Sequence, residues 1–257
     1  MPVSLAYTIL YIFVFIIGSC FGSFLNVLIY RVPKCESFAK GRSHCPGCGK
    51  TLRFYDMIPV LSWFILKGKC RDCKCKISFR YPLVEIIGGI LAMVCVWQLD
   101  FSIDAVIAFF AMSMLTAISF VDWDTMEIPN GFLLWLLVPG ALSFFFFEDI
   151  LWYQRIIGFF AVSLPMFLIA SLVSGAFGGG DIKLMAVCGL LLGWQNILVA
   201  MFLGLLLGGI YAIYLLISKK SGAKEHFAFG PFLSLGIMVA MLWGGDLINL
   251  YLGMFLI

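Results

Sequence analysis

Apolar runs long enough to cross a lipid bilayer recur along most of this chain. Of its 257 residues, 63% are hydrophobic and only 12% are charged. Runs of this length and frequency are typical of a helical protein that crosses the membrane several times. We therefore predict an all-α polytopic membrane protein with about eight transmembrane helices.

The predicted spans follow the limits of these apolar runs. They are Leu5–Tyr30, Leu83–Leu99, Ile103–Val121, Phe132–Phe147, a run between Arg155 and Ser174, a short segment at Lys183–Gly193, Ile197–Ile217, and a last run that begins at Phe229. Gly244-Gly-Asp246 is a candidate break in the last run. The first run has no basic region before it and no small-residue cleavage site after it, so we expect a retained span rather than a removable signal peptide.

Positive charge is concentrated in one loop. Of the 17 Lys and Arg residues, 12 lie between Arg31 and Arg80, and residues 1–30 carry none. By the positive-inside rule, this loop is cytoplasmic and the N-terminus is outside. Three lysines predict that Ser218–His226 is also cytoplasmic. A basic face of this kind fits anionic lipid headgroups, so the expected partner there is membrane lipid and not nucleic acid.

The basic loop also holds six of the nine cysteines. A cytoplasmic loop is kept reduced, so clustered thiols indicate a metal site rather than disulfides. Cys45-Pro-Gly-Cys48 and Cys70-Arg-Asp-Cys73 form two C-x-x-C pairs separated by 21 residues, which closely matches a structural tetrathiolate zinc site. Cys35 and Cys75 are left over. The alternative, a set of unrelated free thiols, fits the paired spacing poorly.

Two polar features of the first spans have simple structural explanations. Gly18, Gly22 and Asn26 share one helix face, where small residues let helix backbones approach and an Asn can hydrogen-bond across the interface. Glu85 follows Pro82 closely, and the dipole at a helix start favours a negative charge. Glu85 also faces the side where we expect the chemistry.

The strongest functional signal is Ser174–Lys183, which reads Ser-Gly-Ala-Phe-Gly-Gly-Gly-Asp-Ile-Lys between apolar runs. A charge at membrane depth costs about 2.5 kcal/mol or more, so Asp181 marks a candidate functional site. The three preceding glycines permit positive φ angles and let another chain approach closely. The alternative is a glycine hinge between two helices, with Asp181 as the N-cap of the second.

A second acid is predicted at the same membrane face, where the third span ends. Asp122, Asp124 and Glu127 compete for this role, and we prefer Asp122 because it adjoins the apolar run and should be least solvated. Two carboxyl groups held a few Å apart share one proton, which leaves one as general base and the other as general acid. Such a pair can activate water for attack on a peptide carbonyl. We find no Ser-His pair and no H-E-x-x-H motif that would favour another protease class.

The motifs together resemble the type IV prepilin peptidases, which are leader peptidases and N-methyltransferases, and more distantly the wider group of Gly-x-Gly-Asp intramembrane aspartyl proteases. The similar stretches are Gly22–Pro33, Cys45–Cys48 through Ile58–Trp63 to Gly68–Cys73, Arg80–Glu85, Asp122 before Pro129, Gly178–Lys183, and Phe229-Gly-Pro-Phe232. The match runs over nearly the whole chain. One departure is Asn130, where the resemblance leads us to expect an acid after Ile-Pro.

The resemblance implies an aspartyl endopeptidase of the bacterial inner membrane, with Asp122 and Asp181 as its catalytic pair. It implies a first transmembrane helix at residues 1–30, a cytoplasmic cysteine domain at 31–81 and a transmembrane catalytic core at 82–257. The implied substrate is the short basic leader of a type IV prepilin or pseudopilin, which ends in Gly and precedes an apolar helix. Methylation of the new N-terminus from S-adenosylmethionine is implied by the resemblance alone.

Two other functions are compatible with parts of this sequence. A transporter or channel could use intramembrane acids to bind a cation, and broken helices with glycines occur in transporters. The tetracysteine loop and the lack of an inverted repeat argue against it. A methyltransferase that no longer cleaves is disfavoured because both aspartates are present in their motifs.

Overall fold

The protein is described here from a computed structural model. The structure describes residues 3–37, 41, 43–45, 47–147, 150–173, 175–218 and 227–255. Most of the predicted cytoplasmic segment Ser218–His226, and Ser174 at the start of the glycine motif, lie outside the described residues. Within the described ranges the chain forms helices and two isolated β-bridges, as the all-α prediction requires.

Nine α-helices lie in the described part of the chain. They are α1 (Val3–Arg31), α2 (Leu61–Ile65), α3 (Arg80–Leu99), α4 (Ile103–Thr125), α5 (Asn130–Phe146), α6 (Trp152–Ala161), α7 (Ser163–Leu172), α8 (Gly179–Ile217) and α9 (Gly230–Phe255). Short 3-10 helices lie at Val32–Lys34 and Phe54–Met57.

Among the described residues, six helical stretches are long and apolar enough to cross a membrane. They are Leu5–Lys34, Arg80–Leu99, Ile103–Thr125, Trp152–Leu172, Gly179–Ile217 and Gly230–Met254. The helix α5 is apolar but shorter. Gly193 leaves the helical conformation, with φ 75° and ψ 172°, and divides α8 into residues 179–192 and 194–217. The predicted count of about eight is reached when these two parts are counted separately and α5 is included.

Two helix limits differ from the predicted ones. The helix α4 continues past Val121 to Thr125, so Asp122 lies inside its last turn rather than in the following loop. The helix α9 runs unbroken through Gly244 and Asp246, so the candidate break there was wrong. Gly244 instead serves close packing, because a Cβ built on it would lie 2.5 Å from Oδ1 of Asn196.

By its contacts, the chain divides into two compact units, Met1–Phe101 and Ser102–Ile257. In the first unit α1 packs on α3 through small residues, since a Cβ on Gly18 would lie 2.5 Å from the Gly88 carbonyl oxygen. Asn26 Nδ2 donates a 3.0 Å hydrogen bond to the backbone oxygen of Tyr81. The predicted packing role of this helix face is confirmed.

In the second unit α4 is the most buried of the described helices long enough to cross a membrane, and α5 and α9 pack against it. The helices α8 and α9 lie closely along one another because glycines line their contact. A Cβ on Gly204 would lie 2.9 Å from Leu233 Cδ2, and one on Gly208 would lie 2.8 Å from Phe229 Cε2. These contacts place the start of α9 next to α8.

Arg155 was expected to precede the fifth span, but it lies within α6 and is only 1% exposed. Its guanidinium donates to Ser143 Oγ at 2.6 Å and, through other bonds, to backbone oxygens. These acceptors are Ile150, Ser143, Phe147, Leu190 and Leu191. Leu190 and Leu191 precede the break at Gly193, where a helix leaves carbonyls without their usual donors. Arg155 therefore caps the first part of α8 from a neighbouring helix.

Candidate active site and metal centre

Asp122 lies in the last turn of α4 and is only 5% exposed. The turn is closed by Met126, whose left-handed backbone (φ 54°) lets its N–H donate to the Asp122 carbonyl oxygen at 2.8 Å. The competing acids Asp124 and Glu127 are exposed. The burial of the three acids thus follows the expected order, and the catalytic role of Asp122 stays a prediction.

The side chain of Asp122 is held by the start of α9. The backbone N–H of Gly230 donates a 2.9 Å hydrogen bond to Asp122 Oδ2. The first N–H groups of a helix have no partner within it, and the helix dipole favours a carboxylate there. A Cβ on Gly230 would lie 2.7 Å from that oxygen, so a larger residue there would require the carboxylate or the helix to move. In the sequence, only Gly before Pro at the start of an apolar run signals this helix start.

Asp181 is half-buried in the first turn of α8. The N-cap of α8 is Gly178, so the alternative that made Asp181 the N-cap was wrong. Asp181 is the third helical residue, a position from which an acid side chain can reach back to the N-cap N–H. The Gly178 N–H does interact with its carboxylate. The motif therefore places the acid at a positive helix end.

The role of the three glycines directly before Asp181 is to let a neighbouring segment approach closely, and none of them has an unusual backbone conformation. Gly178 has φ −70° and ψ 143°, and neither Gly179 nor Gly180 has positive φ. A Cβ on Gly180 would lie 2.9 Å from the Cβ of Ile128, whereas one on Gly179 would meet nothing within 4 Å. Gly180 thus lets the loop after α4 pack on the turn that carries Asp181.

The structure brings Asp122 and Asp181 together at one end of the second unit. Their carboxyl groups interact electrostatically. Besides the contact between Ile128 and Gly180, Lys183 Nζ donates a 3.1 Å hydrogen bond to Asn130 Oδ1. Asn130, the departure from the family pattern, therefore joins α5 to α8 close to the aspartates.

An aromatic cluster beside the two aspartates was not anticipated from the sequence. Its rings are Trp123, Phe177, Tyr211, Phe227, Phe229 and Phe232. The Phe177 and Phe229 ring centroids are 6.3 Å apart, and each residue directly precedes a glycine that contacts a catalytic candidate. The only signal in the sequence is a Phe before both glycine motifs. The cluster supplies an apolar, half-exposed wall next to the carboxyl groups.

The predicted metal ligands come together in the first unit. The Sγ atoms of Cys45, Cys48, Cys70 and Cys73 all lie within 4.8 Å of one another, and Cys45 and Cys73 are 3.8 Å apart. Zn–S bonds of about 2.3 Å in a tetrahedron imply sulfur separations of about 3.8 Å. The four thiols therefore fit one zinc ion, with Cys45 and Cys70 buried and the other two exposed.

Backbone N–H groups favour the thiolate form at this centre. Burial raises the pKa of the Cys45 thiol, but hydrogen bonds from the Gly47 and Cys48 N–H groups, together with those of the Cys75 and Cys70 thiols, lower that pKa to about 6. The Cys75 N–H likewise lowers the pKa of Cys73. A metal ligand must be deprotonated, so these bonds prepare the site for metal.

Ion pairs and a buried acid hold the cysteine loop in place. Arg71 Nη2 lies 2.7 Å from Asp56 Oδ1, and Lys50 Nζ lies 3.3 Å from Asp72 Oδ1. Glu85 is buried beyond the first turn of α3, so the helix-dipole explanation was wrong. Its carboxylate accepts a 2.7 Å hydrogen bond from the N–H of Val60, whose φ is 63°.

Comparison with known proteins agrees with this arrangement. Residues 16–99 match the Bacterial Peptidase A24 N-terminal domain, and residues 108–213 match the Type IV leader peptidase family. A prepilin leader peptidase/N-methyltransferase of Bacillus subtilis is 32% identical over 240 residues, which cover 93% of this chain and 97% of the relative. The chain belongs to the type IV leader peptidase family.

Other members of the family carry the same name. A relative from Stutzerimonas stutzeri is 33% identical over 92% of both chains, and one from Myxococcus xanthus is 34% identical over 84% of this chain and 66% of the relative. No solved structure is significantly similar. The N-terminal match contains the cysteine centre, and the second match contains Asp122 and Asp181. The resemblance to type IV prepilin peptidases that the motifs indicated is confirmed, and the transporter alternative has no support.

Proposed function

We propose that this protein is an aspartyl endopeptidase that removes the short basic leader of a type IV prepilin or pseudopilin. The proposal includes methylation of the new N-terminal residue from S-adenosylmethionine. The observation that carries it is the pair of carboxyl groups, Asp122 and Asp181, which interact at one end of the second unit. The names of the family relatives support the substrate class and the second reaction.

In the proposed cleavage, the two carboxyl groups share one proton. The ionised carboxylate takes a proton from water, and the water oxygen attacks the scissile carbonyl carbon. The protonated carboxyl then donates its proton to the departing amide nitrogen as the C–N bond breaks. The Gly230 N–H holds Asp122 in one orientation, so this carboxyl group is positioned before the substrate arrives.

Methyl transfer would follow at the amine that cleavage creates. S-adenosylmethionine, when bound, would supply the methyl group for that amine. This step rests on the names of the relatives. We place the active site at the cytoplasmic face of the bacterial inner membrane, which the charge distribution supports and where a basic leader would lie.

The cysteine centre is proposed to be structural. Cys45, Cys48, Cys70 and Cys73 would hold one zinc ion, and four thiolates leave no open coordination position for catalysis. The zinc would stabilise a loop in which two ion pairs, Arg71–Asp56 and Lys50–Asp72, each include an exposed basic side chain.

The test is cleavage of a prepilin by purified protein in detergent, followed by mass spectrometry. Asp122→Asn and Asp181→Asn should each abolish cleavage, and Asp124→Asn, an exposed neighbour, serves as the matched control. The mass of the mature product reports the methyl group separately. Full cleavage by either Asn variant would remove the proposed mechanism.

A further inference from the structure

A fifth thiol lies against the four proposed metal ligands. Cys75 belongs to neither C-x-x-C pair, and its Sγ lies 3.4 Å from Cys45 Sγ. That distance is no longer than the 3.8 Å between Cys45 and Cys73, two of the proposed ligands. Cys75 is therefore as close to the centre's buried sulfur as a proposed ligand is.

The backbone fixes Cys75 in this position. The N–H of Cys70 donates to the Cys75 carbonyl oxygen at 2.9 Å, and the neighbouring residues Lys69 and Lys76 form a β-bridge. Lys74, between Cys73 and Cys75, has a φ of 60°, and the sulfurs on both sides of it contact Cys45. The second cysteine pair thus ends in a closed turn that carries an additional thiol.

The first cysteine pair leaves room for this thiol. A Cβ built on Gly47 would lie 2.9 Å from Cys75 Sγ, 3.2 Å from Cys75 Cβ and 3.7 Å from Cys73 Sγ. Gly47 therefore serves the approach of Cys75 and not only the turn between Cys45 and Cys48. Cys75 is part of the packing between the two pairs.

Four thiolates complete the tetrahedral coordination of zinc, so one of the five is in excess. Cys45 and Cys70 are buried, whereas Cys73 is exposed and lies two residues from Cys75. We propose that Cys75 is a reserve ligand of the metal centre that takes the place of Cys73 when that thiolate is lost. In doing so Cys75 would release its thiol proton to solvent and bind the metal as a thiolate.

Cys48 offers a matched control. It is also exposed and belongs to the same proposed ligand set, but no further cysteine follows it before Cys70. Loss of Cys48 therefore has no replacement within its own turn, and Cys75, which the backbone fixes in the turn of Cys73, would have to leave that turn to substitute for it.

The experiment measures bound metal in the full-length protein in detergent, with zinc by elemental analysis and with Co²⁺ by its thiolate absorption bands. Cys73→Ser and Cys75→Ser should each keep about one metal per chain. The Cys73→Ser/Cys75→Ser double variant should lose it, and Cys48→Ser should lose it whether or not Cys75 is present. If Cys73→Ser loses metal as completely as the double variant, the proposal is wrong. Loss of metal in Cys75→Ser would show that Cys75 is a primary ligand, and this result would also overturn the proposal.

A second measurement does not depend on the folding of the double variant. In metal-loaded wild-type protein, a maleimide should label Cys75 while the four proposed ligands stay protected. In metal-loaded Cys73→Ser, Cys75 should become protected. Labelling of Cys75 in both proteins would contradict the proposal. If purified wild-type protein contains no metal, both the zinc centre and the reserve ligand are overturned. Neither readout involves peptidase activity.

Discussion

The backbone N–H of Gly230 donates to Oδ2 of Asp122 across 108 positions of sequence. The bond joins the last turn of α4 to the first residue of α9. It directs the positive end of one helix at a carboxylate on another. The orientation of Asp122 therefore depends on a residue outside its own sequence motif.

Gly230→Ala should strongly reduce cleavage. The added Cβ would lie 2.7 Å from the Asp122 oxygen, so the carboxylate or the helix must move. A displacement of about 1 Å in a catalytic group can cost about 10²-fold in rate, and we expect a fall of that order in kcat. Gly245→Ala in the same helix, where a Cβ meets nothing within 4 Å, should leave kcat unchanged. If Gly230→Ala and Gly245→Ala cleave at equal rates, Gly230 does not position Asp122.

Adjacent glycines before Asp181 should respond differently to the same substitution. In Gly180→Ala the Cβ would lie 2.9 Å from Ile128 Cβ, and the loop after Asp122 would be displaced from the turn that carries Asp181. We expect a fall in kcat of about 10-fold or more. Gly179→Ala has open space and should keep wild-type cleavage. Prepilin cleavage rates at saturating substrate check this, and a greater loss in Gly179→Ala would contradict it.

Asn130→Asp should strengthen the link between α5 and α8. It converts the 3.1 Å hydrogen bond from Lys183 into an ion pair. Because both side chains are exposed, the gain in unfolding free energy should be at most about 1 kcal/mol. Thermal unfolding in detergent should show a small rise that disappears at high salt or in Asn130→Asp/Lys183→Gln. A large fall in the melting temperature would refute this account of Asn130.

Arg155→Met should strongly destabilise the protein, whereas we expect little change in the cleavage mechanism. It removes the donors to Ser143 and to the carbonyls before the break at Gly193, and each buried acceptor left unpaired costs about 1–3 kcal/mol. Arg155→Lys should rescue only part of this loss, since an ammonium has three donors and no planar fork. Ser143→Ala removes one hydrogen bond of Arg155 and the bond from Ser143 Oγ to the Gly140 carbonyl oxygen, and it should have a smaller effect. The melting temperatures of the three variants should therefore rank Ser143→Ala, Arg155→Lys, Arg155→Met from highest to lowest.

Local properties of the sequence determined the transmembrane segments, the two cysteine pairs and the family motifs. The hydropathy of a run, the spacing of a C-x-x-C pair and the place of an acid beside an apolar run can all be seen within a few residues. For this reason the limits of α3, α5 and the second part of α8 lie within three residues of prediction at either end. The burial of Asp122 relative to Asp124 could also be predicted, because only the former adjoins the apolar run.

The contacts between distant residues became known from the three-dimensional structure. The bond from Gly230 to Asp122, the contact of Ile128 with Gly180 and the buried cation at Arg155 depend on how helices pack, and packing is not a property of any one segment. In the sequence Arg155 predicts a span boundary, because an isolated arginine favours water. It lies inside because the acceptors that satisfy its guanidinium come from α5, the following loop and α8. The C-x-x-C spacing likewise gives Cys75 no role, because its approach to Cys45 results from the fold of the loop.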